Sequence, residues 1–180
     1  SDGRPVTEPS QDMVLGCYVV TKEPADFEKQ LETTCYVSTL AEVEMGIATG
    51  KFKHQSALHY WHRLPEGVGD ETPKWIPTTA GRVLFNSILP VKVIADLGFS
   101  NKVMRKRALS DIVFESYRHA GLPETVKFLD RLKDFGFRHA TMESVSIGVV
   151  DLQVPQEKGE IIDAATQRVE RFQKKYGLTQ

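Results

Sequence analysis

Residues 106–141 read KRALSDIVFESYRHAGLPETVKFLDRLKDFGFRHAT, and this run decides the fold. Its apolar side chains return at helical spacing rather than in alternation, and Pro123 divides it in two. Leu109, Ile112, Val113 and Tyr117 make the expected buried face of the first half. Pro123 lacks an N–H that a first turn leaves unpaired anyway, so it starts the second half. There Val126, Leu129, Leu132 and Phe135 are expected inward, with Gly136 ending the helix.

Working toward the N-terminus, Lys102, Arg105, Lys106 and Arg107 crowd the start of the first helix. Cations there oppose the helix dipole, which points to partners elsewhere, although a solvated basic face explains them as well. Thr78 or Thr79 caps a helix whose apolar side is Val83, Leu84, Ile88 and Leu89, and Pro90 forbids its continuation. Residues 55–63, QSALHYWHR, are aromatic and too short for a helix, so they read as a strand, bounded by the turn-rich PEGVGDETP at 65–73. Thr39 and Glu42 have capping-box spacing for a helix over 41–49, closed by Gly50 in the left-handed conformation. Ser10 offers an N-cap, with Asp12 in the first turn, for a short apolar helix through Val20; residues 1–9 look extended.

Toward the C-terminus, SVSIGVVDLQV at 144–154 alternates as a strand should. Then Ile162, Ala165, Val169, Phe172 and Tyr176 recur at steps of three, four, three and four, the seam of a short coiled coil. Gly177 reads as the residue that turns the chain out of this helix, the usual start of a helical hairpin. The expected architecture is α+β and helix-rich, an irregular domain with a few short strands over residues 1–153, followed by a projecting helix in 154–180.

Composition narrows the function. With 23 basic and 24 acidic residues and 41% hydrophobic content, the chain can bury one sizeable core and carries no global charge that would hold DNA or acidic membranes. No apolar run reaches membrane-spanning length, and no signal or transit peptide is expected. Cys17 and Cys35 lack zinc or disulfide-framework spacing and read as buried thiols suited to a reducing cytosol. His54, His59 and His62 resemble a metal cluster, but positions 59 and 62 of one strand face opposite ways. Gly67 and Gly69 do not complete a phosphate loop, and no nucleophile, base and acid trio stands out.

Four stretches carry a collinear resemblance: PVTEPSQDMVLGCYVVT (5–21), TTAGRVLFNSILP (78–90), the run at 106–141, and SVSIGVVDLQVPQEKGEIIDAATQRVERFQKKYGLT (144–179). In this order they resemble the largest subunit of bacterial DNA-directed RNA polymerase, β′, most loosely over 22–76. The resemblance implies a nucleotidyltransferase that makes RNA from ribonucleoside triphosphates on a DNA template, with magnesium in the full enzyme. This chain lies beyond the Asp-rich loop that holds that magnesium, so no cofactor and no catalytic residue are expected here. It implies a wall of the secondary channel, with Gln11, Asp12 and Arg82 as candidates that approach the pore. The seam helix resembles the first of two antiparallel rim helices; the second is expected beyond Thr179.

Implied partners are the remaining β′ and the β, α and ω subunits, DNA and RNA through the complete enzyme, and elongation or transcript-cleavage factors at the rim. Self-association through the exposed seam is a further expectation; location would be the cytoplasm. Two departures stand against the family pattern. Ala140, Thr141, Met142, Glu143 and Ser144 replace Ala-Thr-Arg-Ser-Gly, and of an alarmone-binding pattern near 123–135 only Asp130 is kept. The rival readings are a freestanding helical adaptor that grips a partner helix by the same seam, and a small metal hydrolase built on the three histidines.

Overall fold

A computed structural model describes residues 9–68, 72–143 and 157–177. The chain forms two compact units, Ser1–Val145 and Ser146–Gln180. In the first, α1 (Gln11–Thr21), α2 (Phe27–Thr33), β1 (Tyr36–Val37), α3 (Leu40–Ala48), β2 (Ala57–His62), β3 (Lys74–Thr79), α4 (Ala80–Ser87), α5 (Val91–Leu97) and α6 (Lys106–Met142) follow in order. The second holds α7 (Lys158–Tyr176). This is the helix-rich α+β arrangement the sequence implies; the strand expected at 144–154 falls outside the described residues.

The sheet runs β1-β2-β3, with β1 parallel and β3 antiparallel to β2. Its inner face sets Val37 and Leu58 against Val43, Ala80 and Val83. The outer face carries Tyr36 stacked on His59, with ring centroids 4.6 Å apart, and Trp61 beside Trp75. Alternation along β2 therefore separates His59 from His62, which is buried. A larger core forms where Cys17, Phe85, Met104, Leu109, Ile112, Val113, Phe128 and Leu132 meet between α1, α4 and α6.

Capping follows chemistry visible in the sequence. Thr39 Oγ1 accepts the Glu42 N–H, while the Glu42 carboxylate reaches one residue further back, to the Ser38 N–H. Thr79 Oγ1 does the same for the Arg82 N–H at α4. Ser10 occupies the N-cap of α1, but its carbonyl rather than its hydroxyl accepts a bond, from Met13. Gly50 and Gly121 take positive φ, 73° and 78°. Gly121 breaks α6 into two helical runs, the second beginning near Pro123 as the sequence predicts, and the Ser116 and Thr125 hydroxyls meet across the break at 3.2 Å.

Several expectations need correction. Tyr117 and Val126 lie outward, at 45% and 49% exposure, and Ser116, Thr125 and Phe128 take the inward places. Which side of α6 is buried is set by what it meets, chiefly α1 and then α5. Gly136 does not end a helix: it is buried mid-helix, and a Cβ built on it would lie 2.7 Å from the Met13 backbone. Pro90 stops α4 but also caps α5, a helix the sequence reading missed along with α2, β1 and β3. Cys35 is only half-buried, whereas burial raises the Cys17 thiol to about 12.

Candidate functional site

The first turn of α1 presents Gln11 and Asp12 at the surface of the first unit. Gln11 holds φ 47°, a left-handed value that a non-glycine residue adopts only when its surroundings require it. Two glycine contacts fix the helix behind it. A Cβ on Gly16 would lie 1.9 Å from the Gly136 carbonyl oxygen, and one on Gly81 would lie 2.0 Å from that of Val20. Backbone thus packs on backbone at the middle of α1 and near its C-terminal end.

Arg82 is buried, at 4% exposure, and its guanidinium is fully engaged. Nε donates to the Thr21 carbonyl at 3.1 Å, Nη1 to Asn101 Oδ1 at 3.2 Å and Nη2 to Glu23 Oε2 at 2.8 Å. Asn86 exchanges two bonds with the Ser100 backbone, and Asn101 also reaches the Pro77 carbonyl. The end of α1, the start of α4 and the segment 98–104 are therefore held by one planar cation.

Beside Gln11 a groove of about 360 Å³ is walled by Val14, Leu15 and Tyr18, with Arg105 and Lys106 at its edge. Lys102, Arg105, Lys106 and Arg107 are all exposed, and no acidic residue stands in the first turn of α6. Lys102, Arg105 and Arg107 make no ion pair among the described residues.

The three histidines of the strand region part company. His59 stacks under Tyr36, His62 meets the Phe99 ring at 5.4 Å, and His54 Nδ1 pairs with Glu143 Oε1 at 2.5 Å. Among the described residues no three of His, Cys, Asp and Glu are grouped to hold a metal ion. His139, unremarked in the sequence, packs edge-on to His54 in a cleft of about 410 Å³ with Phe135, Leu84 and Ile47. Burial, aided by His54 and Arg138, lowers its pKa to about 4, so the ring is neutral.

In the second unit α7 is one continuous helix, and Gly177 caps it in the left-handed conformation. Ile162, Val169, Phe172 and Tyr176 are 51–64% exposed, Ala165 is exposed too, and the Phe172 and Tyr176 rings stack at 6.2 Å. The helix offers an apolar stripe and a polar back, with Lys174 and Lys175 placed in the last turn where the dipole favours them.

Residues 1–152 match the protein-family model described as RNA polymerase Rpb1, domain 3. The chain belongs to this family. It is 42% identical over 174 residues to the DNA-directed RNA polymerase subunit beta' of Aquifex aeolicus, taking in 97% of this chain and 10% of that protein. The corresponding subunits of Aquifex pyrophilus and Karelsulcia muelleri are 40% and 35% identical, over 97% and 99% of the chain. The chain spans about a tenth of the length of the relatives it matches. Since 97% of it is aligned, the likeness to whole subunits extends beyond residue 152.

Within this Rpb1 domain 3 chain, Gln11 and Asp12 sit together at one exposed helical turn, and Arg82 lies inside the fold among its own partners. The seam residues share one face of α7. Sequence reading missed Glu23 and Asn101 as the partners of Arg82, and it missed the glycine contacts of α1. Gly16 inside an otherwise apolar helix was the available signal, because a mid-helix glycine implies close packing.

Proposed function

We propose that this chain forms a wall of the secondary channel in a DNA-directed RNA polymerase, as part of its largest subunit. In that reading the complete enzyme carries out RNA synthesis from ribonucleoside triphosphates, with magnesium held by residues outside this chain. This part contributes shape and support. The observation that carries the reading is the apolar stripe of α7, solvent-exposed from Ile162 to Tyr176 in a chain of the Rpb1 domain 3 family. Burying Ile162, Val169 and Phe172 on a neighbour supplies roughly 1.5–3 kcal/mol each, comparable in sum with the stability of a small domain.

The occupant fitting that stripe is an antiparallel helix of the same subunit, and the pair forms the channel rim where elongation or cleavage factors dock. Gln11 and Asp12 face the pore, and Arg82 holds the α1 end behind them. The partners are the rest of β′ with β, α and ω, and through them DNA and RNA, in the cytoplasm.

The test is assembly. A full-length β′ bearing Val169→Glu and Phe172→Glu, reconstituted with the other subunits, should retain promoter-independent RNA synthesis and lose stimulation by a cleavage factor. Full stimulation of that variant would remove the rim assignment, and failure of the unmodified sequence to support any synthesis in such a subunit would remove the channel reading itself.

A further inference from the structure

The cleft between α3, α4 and the C-terminal end of α6 has no part in a channel wall. Its walls are apolar: Ile47 from α3, Leu84 and Ile88 from the end of α4, Phe135 and Met142 from α6. We propose that this cleft is a binding site for a small uncharged aromatic molecule that carries a hydroxyl group, with the ring among those side chains and the hydroxyl hydrogen-bonded to His139 Nδ1. The inference goes beyond the polymerase reading and does not depend on it.

Three observations carry it. First, at about 410 Å³ the cleft falls within the size range of small-molecule sites. Secondly, His139 lines it at 8% exposure, and its Nδ1 has no hydrogen-bond partner among the described residues. Buried polar atoms in native folds are nearly always paired, so an unpaired one on a cleft-lining ring marks a bond left for another molecule to make. Thirdly, that ring is held where it is. Phe135 lies 4.4 Å from it between centroids, and His54, edge-on at 4.9 Å, has its own Nδ1 bound to Glu143 at 2.5 Å.

The chemistry of the walls selects the ligand. A neutral imidazole carries one N–H and one bare nitrogen, and a hydroxyl both donates and accepts, so it satisfies Nδ1 in either tautomer. Charge is disfavoured at that depth, because the burial that keeps His139 neutral also opposes an ammonium or a carboxylate. At the rim Glu44 and Arg138, both exposed, are of opposite sign and favour neither. The aliphatic side chains and Phe135 accept a ring. Met142, unbranched and 59% exposed, is the wall that yields to admit it.

Nuclear magnetic resonance of the 180-residue chain at neutral pH tests this with p-cresol, p-xylene and p-toluate, which share one ring shape and differ in a single group. Both uncharged probes should shift the Met142 methyl resonance, and p-cresol should bind roughly fivefold tighter than p-xylene, the worth of one net hydrogen bond. Only p-cresol should move the His139 Nδ1 resonance. His139→Phe keeps an aromatic ring and should abolish the preference for p-cresol; if that variant fails to fold, the Nδ1 shift in the wild type decides alone. Equal wild-type affinities for p-cresol and p-xylene would overturn the proposal, as would a preference that survives in His139→Phe or an Nδ1 resonance that p-cresol leaves in place. Tighter binding of p-toluate would overturn it by reassigning the cleft to an acid held on Arg138, and no Met142 shift at millimolar probe would show that the cleft takes no ring. The channel reading is judged by subunit assembly and stands or falls separately.

Discussion

Gly16 and Gly136 bring two helices so close that a methyl group on the first would stand 1.9 Å from the carbonyl oxygen of the second. The obstacle is backbone, so it cannot rotate away as a side chain would. Gly16→Ala should force α1 off α6 and cost about 3 kcal/mol or more, visible as a lowered midpoint in urea. Gly159→Ala is the control: nothing lies within 4 Å of its Cβ in α7, and the change should steady that helix by up to about 1 kcal/mol. Equal effects at the two positions would contradict the contact.

Arg82 supports three chain segments through directional bonds, not charge alone. Arg82→Ala should destabilise the first unit by about 2–4 kcal/mol, because the Thr21 carbonyl loses the Arg82 donor and Asn101 Oδ1 keeps only the Thr78 hydroxyl. Arg82→Lys should recover less than half of this, since an ammonium cannot span the Thr21, Asn101 and Glu23 acceptors in one plane. Thermal unfolding of both variants checks it; full rescue by lysine would show that charge suffices.

His139 makes the fold sensitive to mild acid. Its folded pKa of about 4 lies below the ordinary 6.5, so the unfolded chain takes up the proton first. The associated stability is complete above pH 6.5 and falls as pH drops toward 4, by an amount on the order of 2 kcal/mol. Urea midpoints at pH 7 and pH 4.5, with and without His139→Leu, isolate this contribution. An unchanged pH slope in the variant would rule it out.

The stripe on α7 belongs to no core of the described residues. Val169→Glu with Phe172→Glu should therefore shift the thermal midpoint of the isolated chain little, within about 0.5 kcal/mol. Any concentration-dependent association seen by sedimentation should disappear in that variant. A marked loss of stability would mean that the seam is used within one copy.

Thr39→Ala removes the hydroxyl that accepts the Glu42 N–H and should cost about 1 kcal/mol. Glu42→Ala should cost less, because its carboxylate bonds an exposed Ser38 N–H that water can replace. Hydrogen exchange at the start of α3 distinguishes the two.

Much of the local structure was legible because it depends on neighbours in the chain. The hydroxyls of Thr39 and Thr79 reach an N–H three residues on, Gly50 and Gly177 supply positive φ, and Pro123 restarts a helix wherever the chain later folds. The α7 stripe is likewise written in residue spacing, and so is the collinear likeness to β′. These features need only covalent connectivity and the helical repeat.

Tertiary structure decided the rest, because distant segments had to meet before it existed. Gly136 reads as a stop until Gly16 is laid against it, and the partners of Arg82, namely Thr21, Glu23 and Asn101, lie far from it in the chain. The outward turn of Tyr117, the neutral His139 against His54, and the groove joining Tyr18 to Arg105 arise in the same way. Sequence spacing fixes which side chains share a face of one element. Which faces meet, and so which charges are paired or left open, is set by packing between elements far apart in the chain.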